Sequence, residues 1–167
     1  IGSFYRNDFK YQTRSVTGNQ DLQNVFILKA EPTGKPVYLH SIKSVTAGGE
    51  ISPGKASINE KGELALAFYS EGSQSFQMGK YINAEGNIDH TNAFLTKISK
   101  TGIISWVHYL NNDMDTLPET NVNDLFVTEE GSVIFTGYFR GFSLSINSKD
   151  KSVEGNDYEA MLFLGGI

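Results

Sequence analysis

Residues 93–110, AFLTKISKTGIISWVHYL, can be laid over residues 25–42, VFILKAEPTGKPVYLHSI, at a shift of 68. Gly34 then meets Gly102, Phe26 meets Phe94 and Lys29 meets Lys97. Tyr38 meets Trp106, His40 meets His108 and Ile42 meets Leu110. The next stretch repeats as well. Residues 56–68 lie over 125–137 at a shift of 69, with Gly62 on Gly131 and Leu66 on Phe135. Partial copies flank these, with Gly2 on Gly137, Phe4 on Phe139, and residues 159–164 over 92–97. A chain of about two and a half copies must fold as a repeat architecture, each copy burying a face against its neighbour.

Each copy reads as short strands. Phe94–Ile98 and Ile103–Leu110 are rich in β-formers and separated by Ser-Lys-Thr-Gly, a hairpin-length turn. Leu125–Thr128 and Ser132–Phe139 are separated by Glu-Glu-Gly. Bulky residues fall on both faces of 104–110, as expected for a strand between stacked sheets. No segment carries a helical apolar stripe. Four short strands per copy predict an all-β fold of β-propeller blades, each of four antiparallel strands, in an incomplete ring. The expected order is an inner strand near 56–60 or 123–128, then 63–69 or 132–139, then 93–98, then 103–110 outermost. This places a partial blade over 1–54, a full blade over about 55–110 and a partial blade over about 121–167. Polar inserts at 83–92 and 147–156 account for a repeat longer than common blades. Because the copies start and stop out of phase, the chain is expected to be an excerpt of a longer propeller. The alternative is several copies of the chain closing one ring.

Composition narrows the partners. A net charge of −5 disfavours nucleic acid, which needs a basic surface. No apolar run is long enough for a membrane-spanning helix. The chain has no cysteine, so disulfides, thiolate metal sites and cysteine nucleophiles are excluded.

The order of signals resembles the bacterial SBBP-type β-propeller repeat. The resemblance rests on Phe94-Leu95-Thr96-Lys97-Ile98, Gly102 and Trp106, followed by Leu125-Phe126-Val127, Glu130-Gly131 and Val133-Ile134-Phe135-Thr136-Gly137-Tyr138-Phe139. It covers nearly the whole chain. Phe68 stands where a Gly is expected, Tyr38 where a Trp is, and Leu164 where a Lys is. The resemblance implies a secreted or cell-surface bacterial protein engaged in adhesion, or in protein or glycan recognition, without catalysis. Its partners would be a surface protein or glycan and further blades or copies.

Candidate sites are few. His40 and His108 recur at one place, beside Tyr38 and Trp106, which points to packing. A zinc site needs three or four converging ligands, and only His90 remains. Asp113, Asp115 and Glu119 in the polar stretch 111–124 offer oxygen ligands of the kind calcium takes. A solvated loop is the simpler expectation, because the EF-hand spacing is absent and the counterpart 43–54 has no Asp cluster. The inserts 81–92 and 147–159 are read as polar loops. Tyr81, Asp89 and His90 in the first have the types for sugar contact, an aromatic platform with polar groups beside it. The inner strands offer only Ser57, Asn59, Asn123 and Asp124 to a central channel, a thin set for a polysaccharide lyase or hydrolase. Ser105 and His108, three apart on a strand, point to opposite faces and form no nucleophile–base pair. A lectin that closes its ring by oligomerising is the other alternative. The calcium reading predicts a higher Tm in calcium than in chelator, because a ligand of the native state stabilises it; equal Tm values would remove it.

Overall fold

A computed structural model describes residues 1–5, 7–44, 49–71, 76–78, 81–83, 91–112, 119–141, 143–146, 150–154 and 161–167. Those residues form sixteen strands and no helix. The sheets are antiparallel. The chain divides into two compact units, residues 1–53 with 70–89 and residues 54–69 with 90–167.

Four turns set the strand pairings. Each follows one plan, a tight turn closed by a glycine in the left-handed region. Gly34, Gly62, Gly102 and Gly131 have φ of 85°, 78°, 95° and 91°. In each turn the glycine N–H donates to the carbonyl three residues back, at Glu31, Asn59, Ser99 and Thr128. Those four residues in turn donate their own N–H to the carbonyl following the glycine. A left-handed residue costs an L side chain about 1–2 kcal/mol, which glycine avoids. The first turn residue adds a side-chain acceptor: Asn59 Oδ1 takes the Glu63 N–H at 2.9 Å, Ser99 Oγ that of Ile103 at 3.0 Å and Thr128 Oγ1 that of Ser132 at 3.2 Å.

In the first unit β1 (Gly2–Phe4), β4 (Asn24–Ala30), β5 (Pro36–Ser44), β8 (Phe76–Met78) and β9 (Tyr81–Asn83) form one sheet in that order. One face carries Val25, Ile27, Ile42 and Met78, all buried. On the other face Phe26 lies opposite Gly2, and a Cβ on Gly2 would come within 2.8 Å of its ring. A separate hairpin, β2 (Asp8–Tyr11) with β3 (Arg14–Thr17), lies over this second face. Phe9 stacks on Phe26 with ring centroids 4.1 Å apart, and the Ser41 hydroxyl donates to the Thr17 carbonyl at 2.9 Å.

In the second unit the order is β15 (Asp150–Glu154), β14 (Ser143–Ile146), β11 (Ile104–Asn112), β10 (Thr91–Ile98), β7 (Leu64–Glu71), β6 (Glu50–Ile58). A further sheet holds β12 (Glu119–Val127), β13 (Val133–Arg140) and β16 (Met161–Gly166). Their facing sides make the core. Ala65, Ala67, Ala93, Leu95, Leu110 and Leu144 from the first pack with Val122, Leu125, Val127, Val133, Phe135 and Phe139 from the second. Strict alternation on β13, where Val133, Phe135 and Phe139 are buried and Ile134 and Thr136 exposed, is what a period of two requires.

The expected order of 56–60, 63–69, 93–98 and 103–110 returns as β6-β7-β10-β11. Two expectations are corrected. The inserts read as loops, 81–92 and 147–159, contain β9 and β15, which pair with β8 and β14 just before the inserts. β8 and β14 pair in turn with β5 and β11 and cover an otherwise bare outer edge. The inner strands also begin earlier than expected. Glu119–Asp124 belong to β12, where pairing with β13 runs across a bulge between Val122 and Asp124. Phe68, the departure from glycine, is fully buried and stacks on Phe94 at 5.2 Å.

Two alanine substitutions separate strain from crowding. At Gly34 a Cβ meets nothing closer than 3.7 Å, whereas at Gly131 it meets Lys97 Nζ at 2.5 Å. Gly34→Ala should therefore cost about 1–2 kcal/mol in urea unfolding, and Gly131→Ala measurably more.

Candidate functional site

A dense set of polar contacts lies where the 59–63 turn meets the 128–132 turn. These turns are repeat equivalents, and they are bonded to each other. Asn59 Nδ2 donates to the Thr128 carbonyl at 2.8 Å and to Glu63 Oε2 at 3.1 Å. The Glu60 N–H donates to Glu129 Oε1 at 3.1 Å, and Lys61 Nζ donates to the Glu129 carbonyl. Lys97, at the end of β10, completes the joint. Its ammonium donates to the Gly131 carbonyl at 2.7 Å and sits 3.2 Å from Glu63 Oε1. The lysine side chain is 13% exposed and the glutamate 26%. The Asn59 amide, and then Lys97, hold the Glu63 carboxyl below the usual carboxylate range. Every donor here ends on a turn carbonyl or on the carboxylate of Glu63 or Glu129, so the cluster ties two sheets together.

A second polar contact joins the same sheets at their middle. The Tyr69 hydroxyl donates to Asn121 Oδ1 at 2.9 Å and accepts the Val122 N–H at 3.0 Å. Burial pushes this phenol up from its ordinary value. Sequence reasoning missed Tyr69, although Tyr138 occupies the same repeat position 69 residues on and could have marked it.

The recurring histidines sit as expected beside their aromatic neighbours. Tyr38 and His40 have centroids 5.2 Å apart, and Trp106 and His108 4.7 Å. Trp106 packs on the core of its unit. Of the other repeat positions, Phe94 and Phe139 are buried and Gly137 pairs with Val122 and Phe163.

The inner-strand residues are occupied locally. The Ser57 hydroxyl accepts the Val127 N–H at 3.4 Å, and Asp124 Oδ1 accepts the Leu125 N–H at 2.9 Å. Asp113, Asp115, Asp89 and His90 lie outside the described residues. Tyr81 and Glu119 are placed by backbone only, Tyr81 opposite Met78 and Glu119 opposite Arg140. Arg140 Nε is itself buried and without a hydrogen-bond partner. No cluster of three or more His, Asp or Glu able to hold a metal occurs among the described residues.

Two hollows flank the β2–β3 hairpin in the first unit. One, of about 650 Å³, is lined by Ser3, Phe4, Tyr5, Asp8, Phe9 and Lys10. The other, of about 290 Å³, runs between β3 and β5 past His40, Ser41 and Lys43. In the second, Lys43 Nζ donates to the Thr17 hydroxyl at 3.2 Å. No family model, curated protein or solved structure matches the chain.

Because its folded pKa lies below the unfolded value of 4.5, Glu63 contributes stability that is present above that value and fades as pH falls through the folded one. Urea midpoints measured down the acid range should therefore fall less steeply for Glu63→Gln than for the natural chain. Lys97→Met should lower stability at neutral pH. Its cost should lie toward the bottom of the roughly 1.5–3 kcal/mol of a hydrogen bond to a charged group, since water still reaches the pair.

Proposed function

We propose that the chain is part of a β-propeller of SBBP-type repeats, serving as a non-catalytic binding or scaffold module that is secreted or displayed on a bacterial surface. The observation that carries this reading is the strand order β6-β7-β10-β11, with each strand beside its successor as in a propeller blade. The next sheet follows the same plan through β12, β13 and β16, and Lys97 and Asn59 join the two at equivalent turns. The recurrent residues serve packing, which supports a scaffold. Recognition then falls to the residues that do not recur, including Tyr81, Asp89 and His90 on one insert.

A panel of immobilised polysaccharides and surface proteins, read for both retention and released reducing ends, tests the proposal. Retention without product, weakened by Tyr81→Ala or Asp89→Ala, is expected. Released reducing ends would replace it with the polysaccharide-active enzyme reading.

A further inference from the structure

The smaller hollow, between β3 and β5, is walled by residues that do not recur. On β5 a period of two puts Leu39, Ser41 and Lys43 on one face. Gln77 of β8 lies opposite Lys43 and shares that face. The β2–β3 hairpin supplies the other wall through Ser15 and Thr17. Three contacts hold the hairpin there. Phe9 stacks on Phe26, the Tyr11 hydroxyl donates to the Gly34 carbonyl at 3.0 Å, and the Ser41 hydroxyl donates to the Thr17 carbonyl at 2.9 Å. The hollow measures about 290 Å³, the small end of the range for ligand pockets.

The repeat shows what is particular about this place. At the shift of 68, Ser41, Lys43 and Gln77 become Tyr109, Asn111 and Ser145. The register is the same in both copies. Phe26 pairs with Ser41 as Phe94 does with Tyr109, and Lys43 pairs with Gln77 as Asn111 does with Ser145. Tyr109 is buried, with its ring centroid 5.1 Å from that of Phe94. Ser41 has no ring to lay on Phe26, and a polar hollow opens beside it.

Its chemistry is one-sided. The half-buried Lys43 ammonium donates to the Thr17 hydroxyl at 3.2 Å. Among the described residues it pairs with no carboxylate, and no acidic residue lines the hollow. An ammonium carries three donors, and a neutral hydroxyl answers one of them without balancing the charge. Three hydroxyls, from Ser15, Thr17 and Ser41, and the Gln77 amide stand around it, with Leu39 as an apolar flank. The complement of such a lining is a small molecule with one negative charge, several hydroxyls and an apolar side.

We propose that this hollow binds one acidic sugar residue of the uronic type, its carboxylate on Lys43 and its hydroxyls among Ser15, Thr17, Ser41 and Gln77. The site adds to the binding-module reading and does not depend on the insert residues Tyr81, Asp89 and His90.

Titrating the isotope-labelled chain with glucuronate, and separately with glucose and with sulfate, reads the outcome by NMR. Glucuronate should shift the amides of residues 15–17, 39–43 and 77. It should bind at least about tenfold more tightly than glucose, the worth of one charged hydrogen bond. Lys43→Met should lose that margin, and Lys43→Arg should keep most of it. Ser41→Tyr, which restores the ring of the other copy, should fill the hollow and abolish binding at an unchanged circular dichroism spectrum. If that variant unfolds, the two Lys43 variants decide alone. Glucuronate that moves no amide of the hollow overturns the proposal, as does glucose binding equally well. Sulfate matching glucuronate overturns it too, leaving an anion site without sugar recognition. The polysaccharide panel separates this site from the broader reading. Retention of an acidic polysaccharide that survives Lys43→Met leaves the binding module standing and removes only the hollow.

Discussion

Lys97 donating to the carbonyl of Gly131 is the contact from which the relation of one sheet to the next follows. It does not supply most of the holding energy. Truncating a buried phenylalanine such as Phe135 costs about 3–5 kcal/mol, and a partly solvated charged hydrogen bond costs less than that. An apolar face, however, would slide on another at little expense. The ammonium, the Asn59 amide and the Glu63 carboxylate accept one geometry. They also meet only if both turns close on a left-handed glycine. Packing holds the sheets together, and the polar joint chooses how they sit.

That division explains what could be read in advance. The turns were legible because glycine at Gly62, Gly102 and Gly131 has a local cause, a positive φ. The strand order was legible because the copies align and consecutive strands pair. Lys97 stood out by recurring with Lys29, though its partner, a carbonyl 34 residues away, has no signature in the sequence. The hairpins β8–β9 and β14–β15 were invisible for the same reason. Their short strands join the outer edges of β5 and β11, which lie far from them in the sequence. Tyr69 was overlooked since a tyrosine in a strand reads as ordinary packing until its hydroxyl finds Asn121. Glu119 was placed in a loop because Asn and Asp crowd its neighbourhood, and a bulge at Val122/Asp124 is how the strand tolerates them.

Repetition and specificity pull in opposite directions in such a chain. His40 and His108 look like chemistry because they recur, and recurrence assigns them to rings set beside Tyr38 and Trp106. A residue serving a ligand needs to appear once. The inserts, whose sequences differ between the two copies, are the part of the repeat free to vary without disturbing a joint.

The hairpins β8–β9 and β14–β15 belong by sequence to one copy and by hydrogen bonding to the sheet before it. The folding module and the hereditary module are therefore offset. A single sheet cut out at its own borders would lose the hairpin that covers its outer strand and would carry a hairpin without a host. A whole copy inserted in tandem keeps every hairpin beside an outer strand, wherever the break falls. Repeats of this kind lengthen freely by whole copies and do not survive as excised single sheets.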